Sequence, residues 1–255
     1  MSTLALIIEY DGTNYSGWQI QPNSLTIQEV LQTTLTELFQ ENITLIASGR
    51  TDAGVHASGQ VATTKVMRDV IPKEKLMIAI NSRLPSYIQI KKAVYTDKDF
   101  HARFDAVSRK YIYKLASSVS VFKKRFVSEI KYPFNPDKLD EIANIFLGTH
   151  DFTTFSKINP DIKNNICIVS ESRWEHKRSG IHVFHLKANH FLYGMVRSLV
   201  GASIDFARGK RTFDDITKAL AAKNRSLASP FAAPTGLYLE EVSYAEEINQ
   251  ILKIV

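Results

Sequence analysis

Asp52 is the first residue whose setting could do chemistry. It stands in Ser48–Ala62, SGRTDAGVHASGQVA, two residues after Arg50 and two before Gly54. A near-continuous apolar segment, 43–47, feeds the stretch, and a polar segment holding His56 follows. A loop carboxylate can act as a nucleophile or a base. It can equally cap its own turn, as loop aspartates usually do. Gly49 and Gly54 would let the backbone approach a ligand closely, and Arg50 could pair with the carboxylate or with a phosphate. His56 reads as a packed or surface histidine.

Arg197 is the second candidate. It lies in FLYGMVRSLVG, sharing a helical face with Tyr193, Val200 and Gly201. A guanidinium inside such a helix either snorkels to solvent from the helix edge or is buried beside a carboxylate. Asp52 is one carboxylate that could serve. Tyr111 and Tyr113, in SRKYIYKL, share a strand face by their spacing of two, and core packing is the ordinary role for such a pair. Just before them His101, Arg103, Arg109 and Lys110 interleave with Phe100 and Phe104. Cations mixed with aromatic rings suit single-stranded RNA, which is held by phosphate contacts and base stacking. The clusters at 123–125 and 208–211 read singly as solvated faces, and Trp18 reads as a hydrophobic plug for its glycine-rich loop. Walker A, G-x-G-x-x-G and H-E-x-x-H spacings are all absent. Chemistry would therefore come from ordinary side chains, with no obvious metal or cofactor.

The elements that must position these residues read as an α+β chain. Leu4–Tyr10 is strand-like and ends at the turn pair Asp11-Gly12. Thr26 and Glu29 form a capping box before Ile27, Val30, Leu31, Leu35 and Leu38 recur at helical spacing. Strands are expected over 43–48, 55–66 and 87–96, with a helix from Pro72, taken as its first position, to about Arg83. In the second half, 109–115 is a strand and 135–148 a helix closed by Gly148. Residues 168–188 form a hairpin turning at Ser179-Gly180, and 190–210 is a largely apolar helix. A Thr-capped helix over 212–222 and a strand over 237–244 finish the chain.

These elements predict two similar halves, 1–107 and 108–255, each a mainly antiparallel sheet flanked by helices, with a ligand cleft between them. The 255 residues include 32 Lys and Arg against 26 Asp and Glu, a net charge of +6. That balance leans toward a polyanionic partner. One cysteine, Cys167, excludes an internal disulfide and a Cys-rich metal site. The start, MSTLALIIEYDG, reads as a strand and not as a signal peptide, and no apolar run is long enough to span a membrane. A cytoplasmic protein is expected.

Together the stretches YDGTNYSGWQIQPN, SGRTDAGVHASGQVA, NSRLPSYI, FHARFDAVSRKYIY, GTHDFTTFS, FLYGMVRSLVGA and APTGLYLEEVSY resemble the tRNA pseudouridine synthase A (TruA) family, in family order and over nearly the whole chain. The resemblance implies the pseudouridine synthase fold, an RNA-binding cleft, and an isomerase acting at positions 38–40 of the tRNA anticodon stem-loop. It also implies a homodimer that needs neither metal nor cofactor. Asp52 would be the catalytic aspartate, Tyr111 the tyrosine under the uracil, and Leu237 the residue packing on the base. Arg50 would help place the base, and Arg197 would pair with Asp52. Two rivals stand beside this reading. One is an RNA-binding protein of the same fold without catalysis, and the other is a pseudouridine synthase with a different target uridine.

Overall fold

Strands form where apolar residues alternate or run together, and helices where they recur every three or four positions. A computed structural model describes residues 2–67, 69–157 and 164–252. In chain order the elements are β1 (Ser2–Tyr10), α1 (Ile27–Phe39), β2 (Ile46–Ala47), β3 (His56–Val66), α2 (Lys73–Asn81) and β4 (Ile88–Thr96). There follow β5 (Ser108–Ala116), β6 (Ser128–Glu129), α3 (Asp137–Ala143), β7 (Gly148–Asp151), β8 (Ile166–His176) and β9 (His182–Ala188). The chain closes with α4 (Met195–Ala207), α5 (Phe213–Ala222), β10 (Leu237–Ser243) and α6 (Glu246–Leu252). It falls into two compact units, Met1–Ser108 with Tyr238–Val255, and Arg109–Leu237.

In the first unit the strand order is β4-β1-β3-β10. β1 lies antiparallel between β3 and β4, with Ser2 opposite Val66 and Thr3 opposite Thr96. β10 joins β3 in parallel, Tyr238 facing His56, and a β-carbon on Gly59 would stand 2.2 Å from Glu240 O. That approach explains a glycine inside a strand. α2 and α6 pack on β4. In the second unit the order is β5-β9-β8-β7, all antiparallel, with β6 parallel to β5. α3 packs on β8 and α4, and α5 on β7. Its core is aromatic: Trp174 stacks on Phe184 at 4.9 Å, and Phe146 meets Phe155 edge-on at 6.0 Å.

Thr26 and Thr212 cap α1 and α5 where the sequence predicts, Thr26 through the forward bond of its expected box. Glu29 N donates to Thr26 Oγ1, and Thr212 and Asp215 form a reciprocal box at the start of α5. Four expectations shift. The strand over 43–48 shrinks to β2, because α1 side chains take its hydrogen bonds. Ile43 N donates to Thr36 Oγ1 and Leu45 N to Gln32 Oε1. Pro72 occupies the cap position of α2, with extended ψ, not the first helical one. The helix over 135–148 divides into α3 and a 3₁₀ turn at 144–146, and Gly148, at φ +95°, opens β7. The helix over 190–210 starts only at Met195, after Gly194 takes φ +73°. α6, which the sequence reading left out, is pinned by Tyr244 N donating to Asn249 Oδ1 and Asn249 Nδ2 to Tyr244 O.

Candidate active site

The Asp52 loop joins β2 to β3, and its ends are held by buried polar groups. Ser48 N donates to Val61 O at 2.8 Å, and Ser48 Oγ to Gln60 Oε1 at 2.7 Å. Gln60, fully buried on β3, donates back through Nε2 to Gly49 O at 2.9 Å. Thr51 shares a 2.7 Å hydroxyl hydrogen bond with Tyr10, and its carbonyl accepts from Trp18 N at 3.0 Å. Val55 N donates to Asp52 O at 3.1 Å, closing a turn in which Gly54 takes φ +75°.

A β-carbon on Gly17 would stand 2.6 Å from Thr51 O, and one on Gly12 2.0 Å from Val55 O. The glycines of the 11–18 loop therefore let it lie bare against 51–55, whereas Gly49 faces open space. Ser48, Thr51 and Val55 end up buried, Arg50 exposed and Asp52 half-buried. Trp18 is buried 6.1 Å from the Tyr10 ring, as a plug. His56 is buried too, stacked on Tyr238 at 4.8 Å, with Nδ1 accepting from Gly12 N.

The second unit holds Tyr111, Arg197 and Leu237. Both tyrosines of β5 are buried, with different partners. Tyr113 is fully buried and donates to Ala233 O at 2.9 Å, and burial pushes its phenol up to about 12. Tyr111 instead meets Phe191 edge-on at 4.9 Å. Gly194 caps α4, and Arg197 and Gly201, four residues apart, share one of its faces. A β-carbon on Gly201 would stand 2.0 Å from Pro230 O, and one on Gly194 2.8 Å from the Phe231 ring. Between them Arg197 Nε donates to Ala232 O at 2.7 Å, and Ala232 N returns a bond to Arg197 O at 3.0 Å.

Arg197 is half-buried and has a fixed guanidinium plane. It also stands in a first helical turn with no acid, opposite to what the helix dipole favours. The same segment continues past β5, where Gly236 has no room for a β-carbon beside Lys114 O (2.4 Å) and the Tyr113 ring. It delivers the buried Leu237 there. Residues 230–237 thus link Arg197, Tyr113 and Leu237, while Arg50 and Asp52 share the loop of the first unit.

Several contributors escaped the sequence reading: Gln60, Tyr10 and Thr51 around the loop, and Phe231 and Ala232 beside α4. The Pro-rich SPFAAPTGL stretch was the available signal for the last two. The basic and aromatic residues separate by role. His101 stacks on Phe104 at 4.3 Å with Arg103 at 5.6 Å, and Phe104 is 75% exposed. Arg208 lies on the Tyr132 ring and Arg211 donates to Leu227 O, so these two support the fold. Among the described residues no three His, Cys, Asp or Glu side chains group as metal ligands, and no helix is long and apolar enough to cross a membrane.

The profile of the tRNA pseudouridine synthase family matches residues 6–105 and 142–245. The chain is similar to tRNA pseudouridine synthase A of Bacteroides fragilis, 37% identical over 243 residues, 95% of this chain and 96% of that one. It is similar to the Bacillus pumilus protein of that name, at 37% over 241 residues, 93% and 97% of the two chains. A third relative, from Limosilactobacillus reuteri, is 39% identical over 242 residues, 92% and 94% of the two. The chain belongs to the tRNA pseudouridine synthase A family, a family of isomerases. Among solved structures, a chain of a Cbf5-Nop10-Gar1 complex aligns at TM-score 0.39 and 10% identity, covering 95% of this chain and 60% of that one.

Proposed function

We propose that this protein converts uridine to pseudouridine at positions 38–40 of the tRNA anticodon stem-loop, with Asp52 as the catalytic carboxylate. The observation that carries the reading is the Asp52 loop itself. Its flanking residues are locked by Gln60, Tyr10 and Trp18, while Asp52 stays half-exposed at the tip beside Arg50. A reactive group held on a rigid frame is what positional catalysis requires.

The reaction breaks the N1–C1′ bond, turns the base and joins C5 to C1′. C5 loses its proton and N1 ends with one, so atoms balance without a co-substrate. The reacting atoms lie inside a stem, and the nucleotide must be flipped out to reach them. A carboxylate then attacks covalently or takes a ribose proton, and both routes use its charged form. The detached uracil has to be held while it turns. Tyr111 gives it an aromatic face and Leu237 an aliphatic wall, neither of which fixes its orientation. Arg50 places the base, and Arg197 is the cation that pairs with Asp52. The first half, 1–107, supplies the catalytic aspartate, and the second, 108–255, supplies Tyr111, Arg197 and Leu237. The enzyme works in the cytoplasm as a homodimer, needs neither metal nor cofactor, and binds tRNA through cation–aromatic surfaces such as Arg103–Phe104–His101.

The test is to map pseudouridine in tRNA from cells lacking the protein and after restoring it. Loss and recovery confined to positions 38–40 are expected. Unchanged pseudouridine at all three positions would overturn the assignment, and loss elsewhere would favour a synthase with another target.

A further inference from the structure

The second unit carries a cation–aromatic cluster of which two cations, Lys157 and Arg225, have no part in the catalytic reading. Arg225 Cζ lies 4.2 Å from the centre of the Phe231 ring, with Arg197 and Lys157 each at 5.7 Å. Lys157 Nζ also lies 4.2 Å from the Tyr193 ring centre and donates to its hydroxyl at 3.1 Å. One edge of Arg225 is fixed, because Nη1 donates to Thr154 O and to Ser198 Oγ. Nε and Nη2 have no protein acceptor among the described residues. Burial also lowers the pKa of Arg225 from its ordinary value. Neither Lys157 nor Arg225 is ion-paired with a carboxylate among the described residues.

Cations brought this close repel one another, and cation–π contact offsets only part of that. A phosphate would supply a counter-charge to Lys157 and Arg225. Tyr193 is 49% exposed, and Lys157 is exposed at the rim. Lys157 lies against both rings and Arg225 against Phe231, so both cations flank one aromatic surface that includes the exposed Tyr193. Charge next to an exposed ring is the pattern that binds unpaired RNA.

We infer that Lys157, Tyr193, Arg225 and Phe231 form a second RNA contact, which holds a phosphodiester of the tRNA strand and stacks the neighbouring base on Tyr193. The inference rests on the reading of the chain as a tRNA-modifying enzyme. The test compares wild type, Lys157→Ala, Tyr193→Ala and Tyr193→Phe for binding to an unmodified tRNA transcript over a range of KCl, with melting temperature and turnover at saturating tRNA measured beside it. Lys157→Ala should flatten the slope of log K against log salt by about 0.7–0.9, one phosphate contact. Tyr193→Ala should weaken binding by about fivefold or more, and Tyr193→Phe should keep wild-type affinity. Melting temperature and saturated turnover should stay at wild-type values. A wild-type slope for Lys157→Ala, wild-type affinity for Tyr193→Ala, or an affinity loss matched by a fall in melting temperature would overturn it. In each of those cases a wild type that still modifies tRNA leaves the proposed function standing. A wild type that neither binds nor modifies tRNA would overturn both.

Discussion

The loop that carries Asp52 and the guanidinium of Arg197 are each tied to main chain. The loop carbonyls of Gly49, Thr51 and Asp52 accept from Gln60, Trp18 and Val55, and Arg197 Nε is committed to Ala232 O. A guanidinium kept only to tie 230–232 to α4 would be replaceable at a cost in stability alone. In the proposed role, Arg197→Met should lower kcat by about a hundredfold, as losing one preorganised donor does. It should leave the tRNA Kd near wild type. Its loss should also be non-additive with that of Asp52→Asn, since residues acting as a unit share one effect. Additive losses, or a change in Kd alone, would remove Arg197 from the chemistry. Asp52 and Arg50 were legible because their types and spacing sit in a single stretch. Gln60 and Phe231 were not, because their partners, Ser48 and Arg197, lie 12 and 34 residues away and only folding brings them together.

At the scale of elements, α4 depends on its glycines. Gly201→Ala would push a β-carbon into the Pro230 carbonyl, which cannot yield as a flexible side chain would. The expected cost is about 1–3 kcal/mol in urea denaturation, typical of overpacking, with turnover lost as 230–232 shifts. A stability within error of wild type would refute the close packing. A second element contact is electrostatic. Asp151, on β7, accepts from Thr153 N and Oγ1 and pairs with Lys223 at the end of α5. Burial raises its pKa, but those bonds and the Lys223 charge outweigh burial and hold the carboxyl below its ordinary 3.8.

A depressed folded pKa gives stability that is complete above the unfolded value and lost as pH falls through the folded one. The stability gap between wild type and Asp151→Asn should therefore be constant near neutrality and shrink below pH 3.8. A gap that does not change with pH would contradict this. α1 and α5 were legible because caps and apolar periodicity agree there. Residues 43–45 were not, because helix side chains occupy the bonds that a neighbouring strand would have made.

For the whole molecule, the +6 charge and the ring–cation surfaces of both units suit a long polyanion, and membership of the family names the reaction. Sequence periodicity reached the α+β class and most strands. The return of the chain after Leu237 to pair β10 with β3 was out of its reach, since parallel pairing leaves no local turn signal. The central claim is that Asp52 performs the isomerisation. The most direct measurement is tritium release from tRNA carrying 5-tritiated uridine, because C5 must give up its proton, with Kd measured on the same transcript. Asp52→Asn keeps the shape of the side chain and removes its charge. The prediction is a loss of release of about a thousandfold or more with Kd unchanged. Release by Asp52→Asn within about tenfold of wild type would contradict the account.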